Sequence, residues 1–407
     1  MKLRTIDTLD VTGRRVLLRV DFNVPLRDGR VTDDTRIRAA LPTLVELLKR
    51  GARLVLCSHL GRPRGQTVPE LSLAPLVPVL RDALNSALAI EHLAPLEVFL
   101  SPDVAGEGAQ RTLEAAGNNI VLLENLRFEP GEEANDPQFC QQLAALADCY
   151  VSDAFGTVHR AHASTEGVAR LLPSAAGRLV EAEVSALSKV IDKPVRPLVI
   201  VMGGAKISGK LEVLESLIPL ADSVCIGGAM ANTFLAAQGH NTGNSLVEES
   251  MFPEALRMLE LAKDKDTALL LPQDYRVGER FDNPETCELR SANGLQDDDV
   301  ALDIGDATLE LYHNVIWEAQ TVFWNGPMGV FEQERFAAGT LGIARTLAAV
   351  SDRGAVTIVG GGESVAAVNR ANVAAALTHV STGGGASLEF VAGDELPGLK
   401  VLEESAG

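Results

Sequence analysis

Arg15-Val-Leu-Leu-Arg-Val-Asp-Phe-Asn-Val-Pro25 sets an apolar strand, Val16–Val20, directly against two short polar residues, Asp21 and Asn23, and then a proline. Strand side chains alternate, so Asp21 and Asn23 share a face. In an open α/β sheet, ligands gather beyond the carboxyl ends of the strands. The pair therefore reads as a holder for a ligand. Capping a turn, a common use of Asp and Asn, accounts for it equally well when the stretch is taken alone.

The same rhythm continues outward. Apolar runs at Leu54–Cys57, Val98–Leu100, Ile120–Leu123 and Cys149–Val151 predict further strands. Between the first two, Thr35–Arg50 spaces Ile37, Leu41, Leu44, Val45 and Leu48 as a helix does, with Asp33 or Asp34 to cap its start and Gly51 after its end. This is βαβ order, the mark of an α/β protein with mainly parallel sheets. The second half repeats it with a signature. Pro197–Met202, Ser223–Ile226, Thr321–Trp324, Ala355–Val359 and His379–Thr382 all run into glycine, directly or, for Thr321–Trp324, after Asn325. Glycine at a strand end lets a backbone approach a ligand closely. Such turns in series predict a nucleotide site along the carboxyl edge of a sheet. Leu179–Ile191 predicts a helix, which Asp192-Lys-Pro-Val-Arg-Pro197 then breaks. A domain boundary therefore falls near 170–197, and the short tail after Gly393 is able to pack on either domain.

Bulk properties agree with two domains and narrow the partners. A chain of 407 residues exceeds what one core usually serves. Its net charge of −19 argues against nucleic acid or an anionic membrane as a partner. The acid is concentrated late: residues 1–184 hold 20 Lys+Arg against 24 Asp+Glu, and residues 185–407 hold 16 against 31. Of the 20 early cations 18 are Arg, whose planar fork grips phosphate and carboxylate, although Arg is frequent throughout. The five cysteines (Cys57, Cys140, Cys149, Cys225 and Cys287) form no CxxC pair. With no secretory signal in view, we expect reduced thiols in a cytoplasmic protein. No run of 18 apolar residues occurs, so no membrane span is expected.

Position singles out the functional candidates. Arg36 opens the first helix, where free N–H groups favour an anion. His59 and Arg62 lie in Cys57-Ser-His-Leu-Gly-Arg-Pro63, Arg127 in Glu124-Asn-Leu-Arg-Phe128, and His159, Arg160 and His162 in Asp153–Ser164, each just past a strand. For any one of these arginines a surface ion pair is an adequate explanation. The set, converging at one sheet edge, calls for a multiply anionic ligand. No HExxH or G-x-S-x-G pattern is present. Gly204-Ala-Lys-Ile-Ser-Gly-Lys210 approaches the Walker A pattern, but Leu211 stands where a Mg²⁺-binding hydroxyl belongs, so a P-loop NTPase is disfavoured. Lys206 and Lys210 still sit beside glycines at a strand end. Val359-Gly-Gly-Gly-Glu-Ser-Val365 is a strand, a glycine turn and a helix start, with Glu363 a candidate Mg²⁺ ligand. Asn325-Gly-Pro-Met-Gly-Val-Phe-Glu332 offers Asn325 and Glu332.

These motifs together resemble phosphoglycerate kinase: RVDFNVP at 19–25, SHLGRP at 58–63, ENLRF at 124–128, DAFGTVHRAHAS at 153–164, GGAK at 203–206, WNGPMGVFE at 324–332, GGGES at 360–364 and STGGGAS at 381–387. They occur in the family's order over nearly the whole chain. The resemblance implies two Rossmann-like domains joined by a hinge. We expect a triose-phosphate-binding domain over 1–184 with the tail from about 393 to 407, and a nucleotide-binding domain over 185–392. It implies reversible phosphoryl transfer from 1,3-bisphosphoglycerate to Mg-ADP after hinge closure, in a monomer that binds small molecules only. By matching positions, Asp21, Asn23, Arg36, His59, Arg62, Arg127 and Arg160 belong to the triose site. Arg36, Lys206, Gly361 and Gly362 serve the moving phosphoryl group. Lys210, Gly305, Glu332, Gly361, Gly362, Glu363 and Ser364 serve the nucleotide, with Glu363 on the metal. Glu183 and His379 match hinge positions. Two positions depart from the family, which usually has Asp where Gly209 and Glu363 stand. A non-catalytic sensor of phosphorylated metabolites is the competing class. It would need the anion-binding arginines but not Arg36, Lys206 and a metal carboxylate together.

Overall fold

The computed structural model describes residues 1–282 and 284–404. The chain divides into two compact units, Met1–Val184 with the tail from Glu395, and Ser185–Asp394.

In the first unit, β1 (Arg15–Val20) is followed by a small antiparallel hairpin of β2 (Leu26–Arg27) and β3 (Arg30–Val31). β4 (Arg53–Cys57), β5 (Val98–Leu100), β6 (Ile120–Leu122), β7 (Cys149–Asp153) and β8 (Ser174–Ala176) join β1 in a six-stranded parallel sheet, ordered β5-β6-β4-β1-β7-β8. The chain leaves β1 for β4 on one side and later returns to β7 on the other. The loops after β1 and β7 therefore diverge, and a crevice opens at their carboxyl ends. Strand alternation sorts the core into two layers. Val16, Leu18, Val20, Leu54 and Leu56 pack with the buried faces of α1 (Thr35–Lys49) and α2 (Leu76–Ile90). Leu17, Val55 and Cys57 pack on the opposite side with α3 (Glu107–Ala116) and α5 (Pro137–Ala144), while α4 (Pro130–Glu133) is a single turn before α5.

The stretch Pro69–Ile90 is long and apolar enough by composition to cross a membrane, with a mean hydropathy of 1.3. Its apolar face is nevertheless accounted for, because Leu76, Leu80, Leu84 and Leu88 are buried in this core. Of the two capping candidates for α1, Asp33 accepts the Thr35 N–H at 2.8 Å, whereas Asp34 pairs with Arg38. β8 was not anticipated. Ser174-Ala-Ala176 has no β-branched or aromatic residue, and only its pairing with β7 makes it a strand.

α6 (Arg178–Ile191) carries the chain past Val184 into the second unit. There β9 (Leu198–Met202), β10 (Ser223–Ile226) and β11 (Ala268–Leu270) alternate with α7 (Leu211–Leu217), α8 (Gly228–Ala237) and α9 (Phe252–Asp264). β12 (Asp274–Gly278), β13 (Glu288–Ser291) and β14 (Val300–Ile304) form a separate antiparallel sheet. It was also missed: Arg276, Glu288 and Arg290 leave no clean apolar alternation in its strands. α10 (Asp306–Trp317), β15 (Thr321–Asn325), α11 (Ala338–Asp352), β16 (Val356–Gly360), α12 (Gly362–Arg370), β17 (His379–Val380) and α13 (Gly385–Ala392) complete the unit. Its parallel sheet runs β11-β10-β9-β15-β16-β17, so β9, like β1, is a first strand placed centrally at a switch point.

The tail returns through α14 (Pro397–Lys400) to the first unit. Leu3 bridges Glu403. The Arg4 guanidinium donates to the carbonyls of Ser174, Val401 and Glu403.

Asp153 links this fold to pH. It ends β7, is fully buried, and its Oδ1 accepts the Leu179 N–H at 2.9 Å in the first turn of α6. Burial pushes its carboxyl up from 3.8 to about 7, against the opposing influence of Thr43, the helix N–H groups and Arg178. Between those values the folded state holds a proton that the unfolded chain has released. Stability from this group is therefore complete below 3.8 and lost as pH rises through about 7. Asp153→Asn should flatten that slope, gaining on the parent in urea unfolding at pH 8 relative to pH 5.

Candidate active site

Five segments meet at the carboxyl edge of the first sheet. Asp21 Oδ2 accepts from Arg36 Nη1 at 3.0 Å, and the same nitrogen reaches the Asn23 carbonyl at 3.1 Å. The first turn of α1 is thus tied to the end of β1. Asn23 Oδ1 accepts the Gly61 N–H at 3.0 Å, and Ser58 Oγ accepts the Phe22 N–H at 2.9 Å, holding the loop that carries His59 and Arg62. Asn125, fully buried, completes that loop: its amide meets the N–H and carbonyl of Leu60 and the carbonyl of Leu71. Arg127 donates to the Gly61 carbonyl at 2.7 Å and lies 3.4 Å from Glu133.

The pocket is strongly cationic. Burial, followed by the field of the nearby arginines, holds His59 well below its ordinary range, lowers His159 and takes His162 down to about 4. These imidazoles are neutral at neutral pH, and Arg36, Arg127 and Arg160 supply the charge. Arg160 Nε donates to His159 Nε2 at 3.0 Å, so the His159 proton sits on Nδ1, a buried atom with no partner. Arg62 is exposed on its loop.

In the second unit a cavity of about 440 Å³ lies at the ends of β9, β10 and β15. Gly204, Gly228, Pro327, Glu332 and Glu363 line it from the strand ends and the start of α12, and Tyr275, Leu302 and Val330 supply apolar surface. This size and polarity suit a nucleoside-sized ligand. The glycines do more than admit a ligand. The Gly204 N–H donates to the Pro327 carbonyl at 2.9 Å, and the Gly228 N–H to the Met328 carbonyl at 3.0 Å. A Cβ on Gly203 would lie 2.1 Å from the Pro327 oxygen. Three strand ends are thus in backbone contact, which only glycine permits. Asp303 also lines the cavity; burial raises its carboxyl to about 7 while it accepts the N–H groups of Ile304 and Gly339.

The remaining candidates fall around this cavity. Lys206 is exposed on the turn after β9. Lys210 turns inward: its ammonium donates to the Gly203 carbonyl at 2.6 Å, the Asn325 carbonyl at 3.1 Å and Asn325 Oδ1 at 2.6 Å. All three donors are used, and burial lowers its pKa to about 8. Gly361 and Gly362 form the turn into α12, and Ser364 Oγ accepts the Gly326 N–H at 2.6 Å. Gly305 is not among the lining residues; it begins α10 with its Cα against the Asp274 carboxylate. Tyr275, Phe281 and Leu302 were not anticipated, because they belong to the antiparallel sheet and its flank, which carry no glycine turn as a signal.

A fold of two α/β units, one with an arginine-lined anion pocket and one with a glycine-walled cavity of nucleoside size, defines a two-site protein. Residues 6–394 match the family described as phosphoglycerate kinase. The phosphoglycerate kinase of Chlorobium phaeovibrioides is 48% identical over 407 residues, covering 99% of this chain and 100% of the relative. That of Moorella thermoacetica is 50% identical over 400 residues, covering 98% and 99%. The structure of phosphoglycerate kinase from Coxiella burnetii superposes with a TM-score of 0.86 at 37% identity, covering 98% of each chain. That from Pyrococcus horikoshii gives 0.81 at 31% identity, with the same coverage. The chain belongs to the phosphoglycerate kinase family.

Gly228 tests the packing of the cavity wall. Its φ is +66°, and an added Cβ would lie 2.6 Å from both N and O of Gly204. Gly228→Ala should lower stability by about 1–3 kcal/mol in urea unfolding, combining overpacking with a strained backbone.

Proposed function

We propose that the protein catalyses reversible transfer of the acyl phosphate of 1,3-bisphosphoglycerate to ADP, giving 3-phosphoglycerate and ATP, in glycolysis and gluconeogenesis. The observation that carries this function is the complementary chemistry of the two sites. One unit concentrates Arg36, Arg127 and Arg160 beside Asp21 and Asn23, and the other walls a nucleoside-sized cavity with glycine and places Glu332 and Glu363 at its rim. The non-catalytic sensor has no support among the relatives, which are named as kinases.

The reaction needs no general base. The attacking group is a carboxylate in one direction and a nucleotide phosphate oxygen in the other, and both are anionic near pH 7. Catalysis reduces to positioning and neutralising charge. His59, Arg62, Arg127 and Arg160 anchor the distal phosphate of the triose, and Asp21 and Asn23 orient its hydroxyl and carboxyl end. Asp21 has a second task, since its carboxylate aims Arg36. Arg36, Lys206 and the N–H groups at Gly361 and Gly362 balance the charge of the moving phosphoryl group during in-line transfer after hinge closure. Glu332 serves the nucleotide from the cavity lining, and Gly305 and Ser364, which stand outside that lining, serve it by shaping the start of α10 and the turn at Gly326. Lys210 supports the same site by tying the ends of β9 and β15 together.

The residues fit a magnesium ion. Glu363 is an exposed carboxylate in the first turn of α12, and no group of three or more His, Cys, Asp or Glu among the described residues forms a protein-only cage. Mg²⁺ is commonly held in this way, by one or two carboxylates with nucleotide phosphates and water. When bound, it supplies positive charge to the nucleotide phosphates. Glu363 is a methylene longer than Asp and keeps the charge. Gly209, exposed and with open space around its Cα, brings no carboxylate of its own to Lys210, and the field of Glu363 is the one that reaches the ammonium. This function carries with it small-molecule partners, a cytoplasmic location and action as a monomer.

The test is ATP formation from 1,3-bisphosphoglycerate and Mg-ADP. Arg36→Ala should lower kcat by about 10²–10³, as loss of one transition-state charge partner does elsewhere. An inactive parent protein that still binds both ligands would overturn the assignment.

A further inference from the structure

Beneath the anion pocket lies a buried charged chain that phosphoryl transfer does not itself require. Arg19, in β1, is 1% exposed. Its Nε donates to Ser164 Oγ at 2.9 Å, its Nη1 to the Val20 carbonyl, and its Nη2 lies 3.2 Å from His59 Nδ1. Ser164 Oγ lies 2.5 Å from Glu132 Oε1, and the Ser164 N–H donates to Glu132 Oε2 at 3.0 Å. Glu132, in α4, is also 1% exposed.

The direction of every bond is determined. A guanidinium has donors and no acceptor. Ser164 Oγ therefore accepts from Arg19, and its own hydrogen goes to Glu132. His59 Nδ1 likewise accepts, so on a neutral ring the proton resides on Nε2. That nitrogen makes no hydrogen bond within the described residues and is not among the buried unpaired atoms, so it remains open to a ligand.

We infer that Glu132, Ser164 and Arg19 are positioning residues that lock His59 in the Nε2–H tautomer, making it a donor to an anionic oxygen of the triose. The ring stays neutral because burial and the charges of Arg19, Arg127 and Arg36 outweigh the attraction of Asp21 Oδ1 at 3.9 Å. A neutral Nε2–H ring keeps its donor without adding another charge to a pocket already rich in guanidinium. Nδ1–H would face Arg19 with two donors in opposition and leave the ligand facing a lone pair. The relay also explains a buried carboxylate this close to an anion site: Glu132 balances Arg19 from behind rather than competing with the ligand in front.

The identity of the ligand rests on the function proposed above, whereas the tautomer is a property of the free protein. The experiment is ¹⁵N NMR of the ring nitrogens in ¹⁵N-histidine-labelled protein, with His59 assigned by subtracting the spectrum of His59→Asn. The expected result is a neutral Nε2–H signature at pH 7 that persists to pH 5.5. Ser164→Ala, which cuts the relay, should give a mixture of tautomers and weaken 3-phosphoglycerate binding by about tenfold. An Nδ1–H or protonated ring in the parent overturns the inference, and that measurement does not depend on the variant folding. A folded Ser164→Ala with unchanged tautomer and affinity overturns it as well. An Nε2–H ring in a protein that does not bind 3-phosphoglycerate leaves the lock standing and overturns the triose assignment alone.

Discussion

Parallel pairing delivers every loop that follows a strand to the same edge of its sheet, and both units are organised by that constraint. Loops after β1, β4, β6 and β7 bring Asp21, His59, Arg127 and Arg160 together although 139 residues separate the first from the last. The ends of β9, β10 and β15 meet in the second unit for the same reason. Ligand chemistry is then decided by which residues end the strands. Arginine and histidine in the first unit create an anion pocket. Glycine in the second lets backbone pack on backbone and leaves a cavity beside it.

Both edges also enclose charge, and two of these cations are each held by three partners. Lys210 uses all of its donors on backbone and Asn325 oxygens, and Arg19 is spread over Ser164, Val20 and His59. An unpaired charge at these depths would be expensive. The lysine therefore acts as a tie as well as a cation. Gly209 beside it carries no side chain, and internal oxygens together with the field of Glu363 hold the ammonium.

Much of the parallel framework was legible in the sequence, because buried parallel strands are short apolar runs and the helices between them have a regular period. The strands from Val98–Leu100 and Ser223–Ile226 match to the residue, and α1 differs only at its last position. β8 and the β12–β14 sheet were not legible, since pairing with neighbours rather than local composition makes them strands. The same limit applied at the sites. Residues that follow strands stand out as candidates in the sequence, Asp21, His59 and Arg127 among them, and the fold gathers them at one sheet edge. Arg19, Glu132, Ser164 and Asn125 were not singled out, because each acts through a partner distant in sequence. Lys210 is marked as a candidate by its glycine neighbours, but nothing local to it tells that it faces inward onto Asn325.

The tail held by Arg4 gives the chain an order of completion. Residues 395–404 belong to the unit that begins at Met1, so the second unit is an insertion within the first. Synthesis therefore completes the sequence of the second unit before it reaches the last segment of the first. Until that segment is made, Arg4 has its partner in the Ser174 carbonyl of β8 but lacks the carbonyls of Val401 and Glu403. The docking of the tail on Arg4 and Val158 is therefore a point where chain order, as well as sequence, sets the schedule of folding.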